Sequence, residues 1–116
     1  MQTKLAEALI NRGVLPAGTE VTARHNAMGL GSVNNVMVTS EFSIIKVAVR
    51  SDGEVVWTLA NLRDGAHTKV LSEAILDIDG MDPVRFASVY DITADGGKAV
   101  VGARRGRKPK NRNPEG

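Results

Sequence analysis

The stretch EFSIIKVAVRSDGEVVWTLA, residues 41–60, carries two apolar runs on either side of an Asp52-Gly53 pair. The length of the loop between them decides the fold, because side chains alternate along a strand. A one-residue slip in pairing turns every side chain to the opposite face. A two-residue Asp52-Gly53 loop pairs Val49 with Val56 and Ala48 with Trp57, which puts the indole beside Lys46 and Arg50. A three-residue loop, with Gly53 left-handed in a bulge, instead pairs Val49 with Val55, Val47 with Trp57 and Ile45 with Leu59. All six apolar residues then share one face, and Arg50 lies opposite Glu54 on the other. The second register is the one that buries apolar surface, so Trp57 is expected in the core.

Working outward, residues 3–12 read as a short helix, with Thr3 as its cap and Leu5 and Leu9 on one face. Gly13 is placed as a left-handed terminator, and Pro16 prevents continuation. LPAGTEVTAR gives a turn and a strand from about Thr19, and NAMGLGSVNN is a loop rich in Gly and Asn. VMVTS, behind it, reads as a short strand. After the hairpin, NLRDGAHTKVL holds a second turn and strand, and EAILDID supplies either a strand or a single helical turn. GMDPVRFASVY opens a helix with Asp82 as N-cap, Pro83 at the first helical position, and Met81 and Phe86 spaced as a hydrophobic staple. TADGGK reads as a flexible break, and KAVVGA either adds an edge strand or begins the tail.

These elements predict a mainly β or α+β domain: a small, bent antiparallel sheet with two short helices. At 116 residues the chain holds one domain, read as residues 1–97, and an appendage, residues 98–116. With four aromatic residues, its core must be built of aliphatic side chains. The absence of cysteine excludes a disulfide scaffold and a thiolate metal site, and suits a reducing compartment. No apolar run approaches the roughly 20 residues of a membrane span, and the N-terminus lacks the layout of a secretory signal. A cytoplasmic location is the expectation. The element order resembles an SH3-like small barrel, with LPAGTEV as the opening strand. VVWTLANLRDGAHTKVLSEAILDID then supplies strand, turn, strand and helical turn.

Enzyme signatures are weak. His25 and His67 flank strands without a partner at ligand spacing. Asp77, Asp79 and Asp82 lie close together, but the glycine comes too early for a calcium loop and no Glu stands at the twelfth position. A turn and a helix cap explain the same residues. Gly29-Leu30-Gly31-Ser32 lacks the Lys-Ser/Thr ending of a phosphate loop. Ser32, Ser40 and Ser43 lack a nucleophile's strand-to-helix elbow. No catalytic residue, cofactor or metal is assigned.

The charges are divided. Residues 1–97 carry eight Lys or Arg against twelve Asp or Glu, a net −4, whereas residues 98–116 carry seven against one, a net +6. Blocks of like charge mark interaction arms. With no Leu, Ile or aromatic residue, the arm cannot offset its ordering entropy and is expected to be disordered when free. Within it, Arg104-Arg105-Gly106-Arg107-Lys108-Pro109-Lys110 resembles the AT-hook, whose core is Arg-Gly-Arg-Pro between basic residues. A·T-rich minor grooves are narrow and strongly negative, and they attract inserted arginines. Glycine between two arginines lets the backbone lie on the groove floor. The resemblance implies that Arg105, Gly106 and Arg107 read the groove while Lys108 and Lys110 contact phosphates, with Arg104 and Arg112 among the DNA-binding residues of the arm. Lys108 departs from the pattern by separating Arg107 from Pro109. Looser Arg-Gly-Arg inserts resemble those of bacterial chromosome-silencing proteins, so a nucleoid-associated phage or bacterial protein is the expectation.

A single hook binds weakly, so the folded body is expected to dimerise, to bind DNA itself or to dock on another DNA-bound protein. The competing expectation is a protein-interaction module, an adaptor or inhibitor of a transcription or translation complex. Its tail would then bind RNA or DNA without selectivity, as any Lys/Arg cluster does.

Overall fold

A computed structural model of the chain describes residues 1–26 and 37–97. The elements run in order α1 (Thr3–Arg12), β1 (Glu20–Asn26), β2 (Met37–Val49), β3 (Val55–Asn61) and β4 (His67–Leu71). A 3-10 turn (Ser72–Ala74), β5 (Ile75–Ile78) and α2 (Pro83–Ser88) follow. The five strands make one open sheet in the order β4-β3-β2-β1-β5, with every pair antiparallel. The mainly β or α+β class read from the sequence is the observed one.

The decisive hairpin takes the three-residue loop. Gly53 is left-handed (φ 88°). Its N–H donates to the Arg50 carbonyl at 2.9 Å, and the Arg50 N–H donates to the Glu54 carbonyl at 2.6 Å. Val49 pairs with Val55 and Val47 with Trp57, as the apolar pattern requires. The register then departs from expectation by one residue: Leu59 faces Ile44, not Ile45, which falls in a bulge and is 36 % exposed. The cause lies on the other edge of β2. There Phe42 already faces the core and pairs with Val21 of β1. Phe42 and Ile44 are in even phase and Val47 in odd phase, so one extra residue is needed to keep all three on the inner face. The short VMVTS strand is also not separate, because Met37–Ser40 are the start of the 13-residue β2. Arg50 stands across from Glu54 as expected, and its guanidinium pairs with Asp52.

Trp57 is fully buried, and its Nε1–H donates to Ser72 Oγ at 3.0 Å. Ser72 is itself 2 % exposed, so each group answers the other's buried hydrogen-bonding need. The inner face is completed by Phe42, Ile44 and Leu59 from the sheet and by Leu5, Ala6 and Leu9 of α1. Gln2, not Thr3, is the α1 N-cap: its carbonyl accepts from the Ala6 N–H at 3.1 Å, and no side chain caps the helix. Gly13 ends α1 in the left-handed conformation expected of it. EAILDID resolves into both alternatives, a 3-10 turn and then β5. Asp82 caps α2 by accepting from the N–H groups of Val84 (3.0 Å) and Arg85 (3.4 Å).

TADGGK, read as a flexible break, is an ordered turn through Gly97. Thr93 N–H bonds the Gly97 carbonyl at 2.8 Å, and Gly96 N–H bonds the Thr93 carbonyl at 2.9 Å. Asp95 Oδ1 accepts from both Thr93 Oγ1 and the Gly97 N–H. Gly96 (φ 86°) sits so close to α1 that a Cβ there would come within 2.5 Å of the Lys4 carbonyl oxygen. Composition signals mobility, but close approach to the helix is what selects the glycine.

Two substitutions check this packing by denaturant unfolding. Trp57→Ala is expected to cost about 3–5 kcal/mol, as truncation of a large buried aromatic does. Full stability in that variant would place the indole outside the core. Gly96→Ala is expected to destabilise by more than about 1 kcal/mol, since Ala resists positive φ and must also displace backbone. Gly13→Ala, at a similar φ but with open space around its Cβ position, should cost less. Equal losses at the two sites would deny the contact with Lys4.

Candidate nucleic-acid interface

The arm residues Arg104, Arg105, Gly106, Arg107, Lys108, Lys110 and Arg112 lie outside the described residues, as do Gly29–Ser32. What the structure supplies is the three-dimensional charge pattern of the body. Because α1 covers the inner face, alternate residues of each strand point to the open outer face. Pairing arranges them in rows across the sheet. Leu71, Val56 and Ala48 form one row, and Lys69, Thr58 and Lys46 the next. His67, Ala60, Ser43 and Glu20 follow, and then Glu41, Thr22 and Asp77.

Acid and base therefore separate over these rows. Lys46 and Lys69 belong to the half built from β3, β4 and the end of β2, whereas Glu20, Glu41 and Asp77 belong to the half built from β1, β5 and the start of β2. Arg24 stands beyond the carboxylates, opposite Thr39 and one row farther from the lysines. The Ile45 bulge falls between the halves. Two strand spacings put Lys46 and Lys69 about 10 Å apart at Cα, and the lysine row lies about 14 Å from the Glu41 row along the strands. The second distance exceeds the screening length of about 10 Å at 0.1 M salt.

Both lysines are exposed, and among the described residues neither has a carboxylate within 4.0 Å. Arg50 differs. Its Nη2 lies 2.6 Å from Asp52 Oδ2, and its Nε donates to both carboxylate oxygens at 3.1 Å. The Arg50 guanidinium, together with the Glu54 N–H at 3.0 Å, holds the Asp52 carboxyl down at about 2. The pair neutralises itself, so Lys46 and Lys69 are the cations that the strands of this half offer to a ligand.

The remaining candidates are engaged locally. His25 Nε2 meets Ser40 Oγ at 2.8 Å, and its ring stands edge-on to Phe42 at 5.1 Å. Asp79 is left-handed (φ 54°) in the turn before Met81, and its N–H bonds the Glu20 carbonyl at 2.7 Å. Asp82 is committed to its cap. His67 is exposed, and Ser43 is half-buried opposite Ala60. No group of three His, Asp or Glu able to hold a metal occurs among the described residues, and no described helix is long and apolar enough to cross a membrane. No protein-family model, curated protein or solved structure matches the chain.

The sequence pattern places Lys46 only relative to Trp57 and does not connect it with Lys69. The connecting signal lies in the two Asp-Gly turns, which together fix the registers that put both lysines beside Thr58.

The Arg50–Asp52 pair makes a direct test by carboxyl NMR titration. Asp52 should stay ionised until pH falls to about 2. Its folded-state value is depressed, so its contribution to stability is present above the ordinary carboxylate range and disappears as pH falls through the folded value. Full exposure keeps that contribution small and sensitive to salt. Arg50→Gln should return the titration toward ordinary carboxylate behaviour. An unmoved midpoint would assign the depression to the Glu54 N–H alone.

Proposed function

We propose that the protein is DNA-associated, its C-terminal Arg105-Gly106-Arg107 arm entering A·T-rich minor groove and its folded body supplying dimerisation or partner contacts. The observation that carries this reading is the division of charge, −4 over residues 1–97 and +6 over residues 98–116, with Arg-Gly-Arg at the centre of the basic block. A polyanion attracts the block whatever its order. The glycine between two arginines is what adds a groove-reading element. The body's strand, turn, strand and 3-10 turn, Val55 through Ala74, supports the resemblance to an SH3-like small barrel. Scaffolds of that size bear binding surfaces.

A second reading, a protein-interaction module with an unselective RNA- or DNA-binding tail, draws on the apolar side chains that α2 and its end leave open. Val84 is 45 % and Val89 62 % exposed. The two readings divide at the arm.

Gly106→Ala preserves every charge, so an unselective polycation should bind as before. In the minor groove the added methyl obstructs the approach of the backbone to the groove floor. Binding to A·T-rich duplex, followed by fluorescence anisotropy, should fall several-fold while binding to G·C-rich duplex stays nearly constant. Lys110→Ala should instead weaken both duplexes about equally and lower the salt slope by roughly one unit. Equal losses on both duplexes for Gly106→Ala, or none on either, would leave only the unselective tail.

A further inference from the structure

We infer that the outer face of β3, β4 and the end of β2 is a second DNA contact, in which Lys46 and Lys69 hold backbone phosphates on either side of Thr58. This rests on the DNA-associated reading and gives the body a direct part in it. A body with net charge −4 argues against nucleic-acid contact only if its charges are evenly mixed, and on this face the lysine row is set apart from Glu41 and Asp77. Lys46 and Lys69 are exposed, share one row, and have no carboxylate partner among the described residues.

Of the acidic groups on this face, Glu41 and Asp77 lie across the Ile45 bulge, and Glu54 stands opposite Arg50 at the hairpin end, two rows from Lys46. Such a bulge bends a strand and increases its twist, and Glu41 and Asp77 lie two rows beyond the lysines on its far side. Glu20 approaches Lys46 most closely, one strand and one row away, and Lys69 stands on the strand farthest from it. Arg50, nearer the hairpin loop, is already answered by Asp52.

Shape agrees with charge. Around Lys46 the outer-face positions Ala48, Ala60, Ser43 and Thr58 carry short side chains, so a backbone can come close there, whereas Leu71, Val56 and His67 border the row toward Lys69. Lysine supplies a flexible point charge suited to phosphate, and a threonine hydroxyl can donate to the same oxygens. The contact therefore positions DNA without reading sequence, while the arm reads it. Residues 98–104 join Gly97, the last described residue, to Arg105. That connection spans at most about 28 Å and starts beside Lys4 of α1, on the inner side of the sheet, so arm and lysine row meet one duplex where it rounds the sheet edge.

The test is a salt titration of duplex binding by the full chain and its variants. Lys46→Gln/Lys69→Gln should lower the slope of log K against log salt by about 1.8, at about 0.9 for every phosphate no longer neutralised. The loss should be equal on A·T-rich and G·C-rich duplex, and the thermal midpoint should not move. Lys46→Arg/Lys69→Arg should keep the slope. Glu41→Gln/Asp77→Asn should also keep it, although it changes the same number of charges on the other half. An unchanged slope in the glutamine variant, with wild-type binding to A·T-rich duplex intact, would overturn this contact and leave the arm reading standing. Conversion from dimer to monomer in that variant, seen by sedimentation with the slope unaltered, would overturn it in favour of a protein contact. Absence of wild-type binding to either duplex at about 50 mM salt, where phosphate contacts are strong, would remove both.

Discussion

β2 has to satisfy two partners whose demands differ by half a pleat. Along β1 it must turn Phe42 and Ile44 inward, and along β3 it must turn Val47 inward against Trp57. Period-2 alternation cannot meet both over an unbroken run. Ile45 resolves the conflict by leaving the ladder, at the cost of a large aliphatic side chain partly exposed to solvent. The bulge lets one 13-residue strand serve both halves of the sheet, so that the inner face closes around one indole. It also sets the phase of the outer face, and with it the separation of lysines from carboxylates.

The hairpin loop is legible in the sequence because its constraint is local. Gly53 can take positive φ where another residue resists it, and only one loop length puts the neighbouring apolar side chains on one face. Asp82-Pro83 is legible for the same reason, since a cap bonds N–H groups two and three residues along. The Ile45 bulge is not, because the demand for it comes from Val21 of β1, more than twenty residues earlier. Gly96 misleads in the same way: a Gly-Gly pair suggests freedom, but its cause is the Lys4 carbonyl more than ninety residues away. Thr3 has the right chemistry for a cap and lies one position inside the helix. Boundaries depend on which carbonyl accepts the first bond, and composition does not decide that.

The candidate interface divides along the same line. The basic arm stands out from charge alone, which needs no geometry. The Lys46–Thr58–Lys69 row needs two registers to be correct together, one from each Asp-Gly turn, before the residues become neighbours. Net charge conceals the row further, because summing over a domain averages across faces that a ligand never meets at once. Electrostatic recognition responds to the local field within about one screening length, not to the total.

On the proposed reading, this distinction bears on how a small acidic domain could work at DNA at all. The +6 block, and not the −4 body, attracts a polyanion, so the arm is the part suited to making first contact. If Arg105 and Arg107 were held in the groove, the body's encounter with the duplex would become intramolecular, and a weak contact would suffice because its effective concentration is high. Two lysines would then contribute through tethering what they could not contribute alone. On that reading the carboxylates of the β1–β5 half would also limit the ways the body can lie down. Sliding the sheet toward its β1–β5 half would bring Glu41 and Asp77 against phosphates, so charge sorting selects orientation as well as affinity.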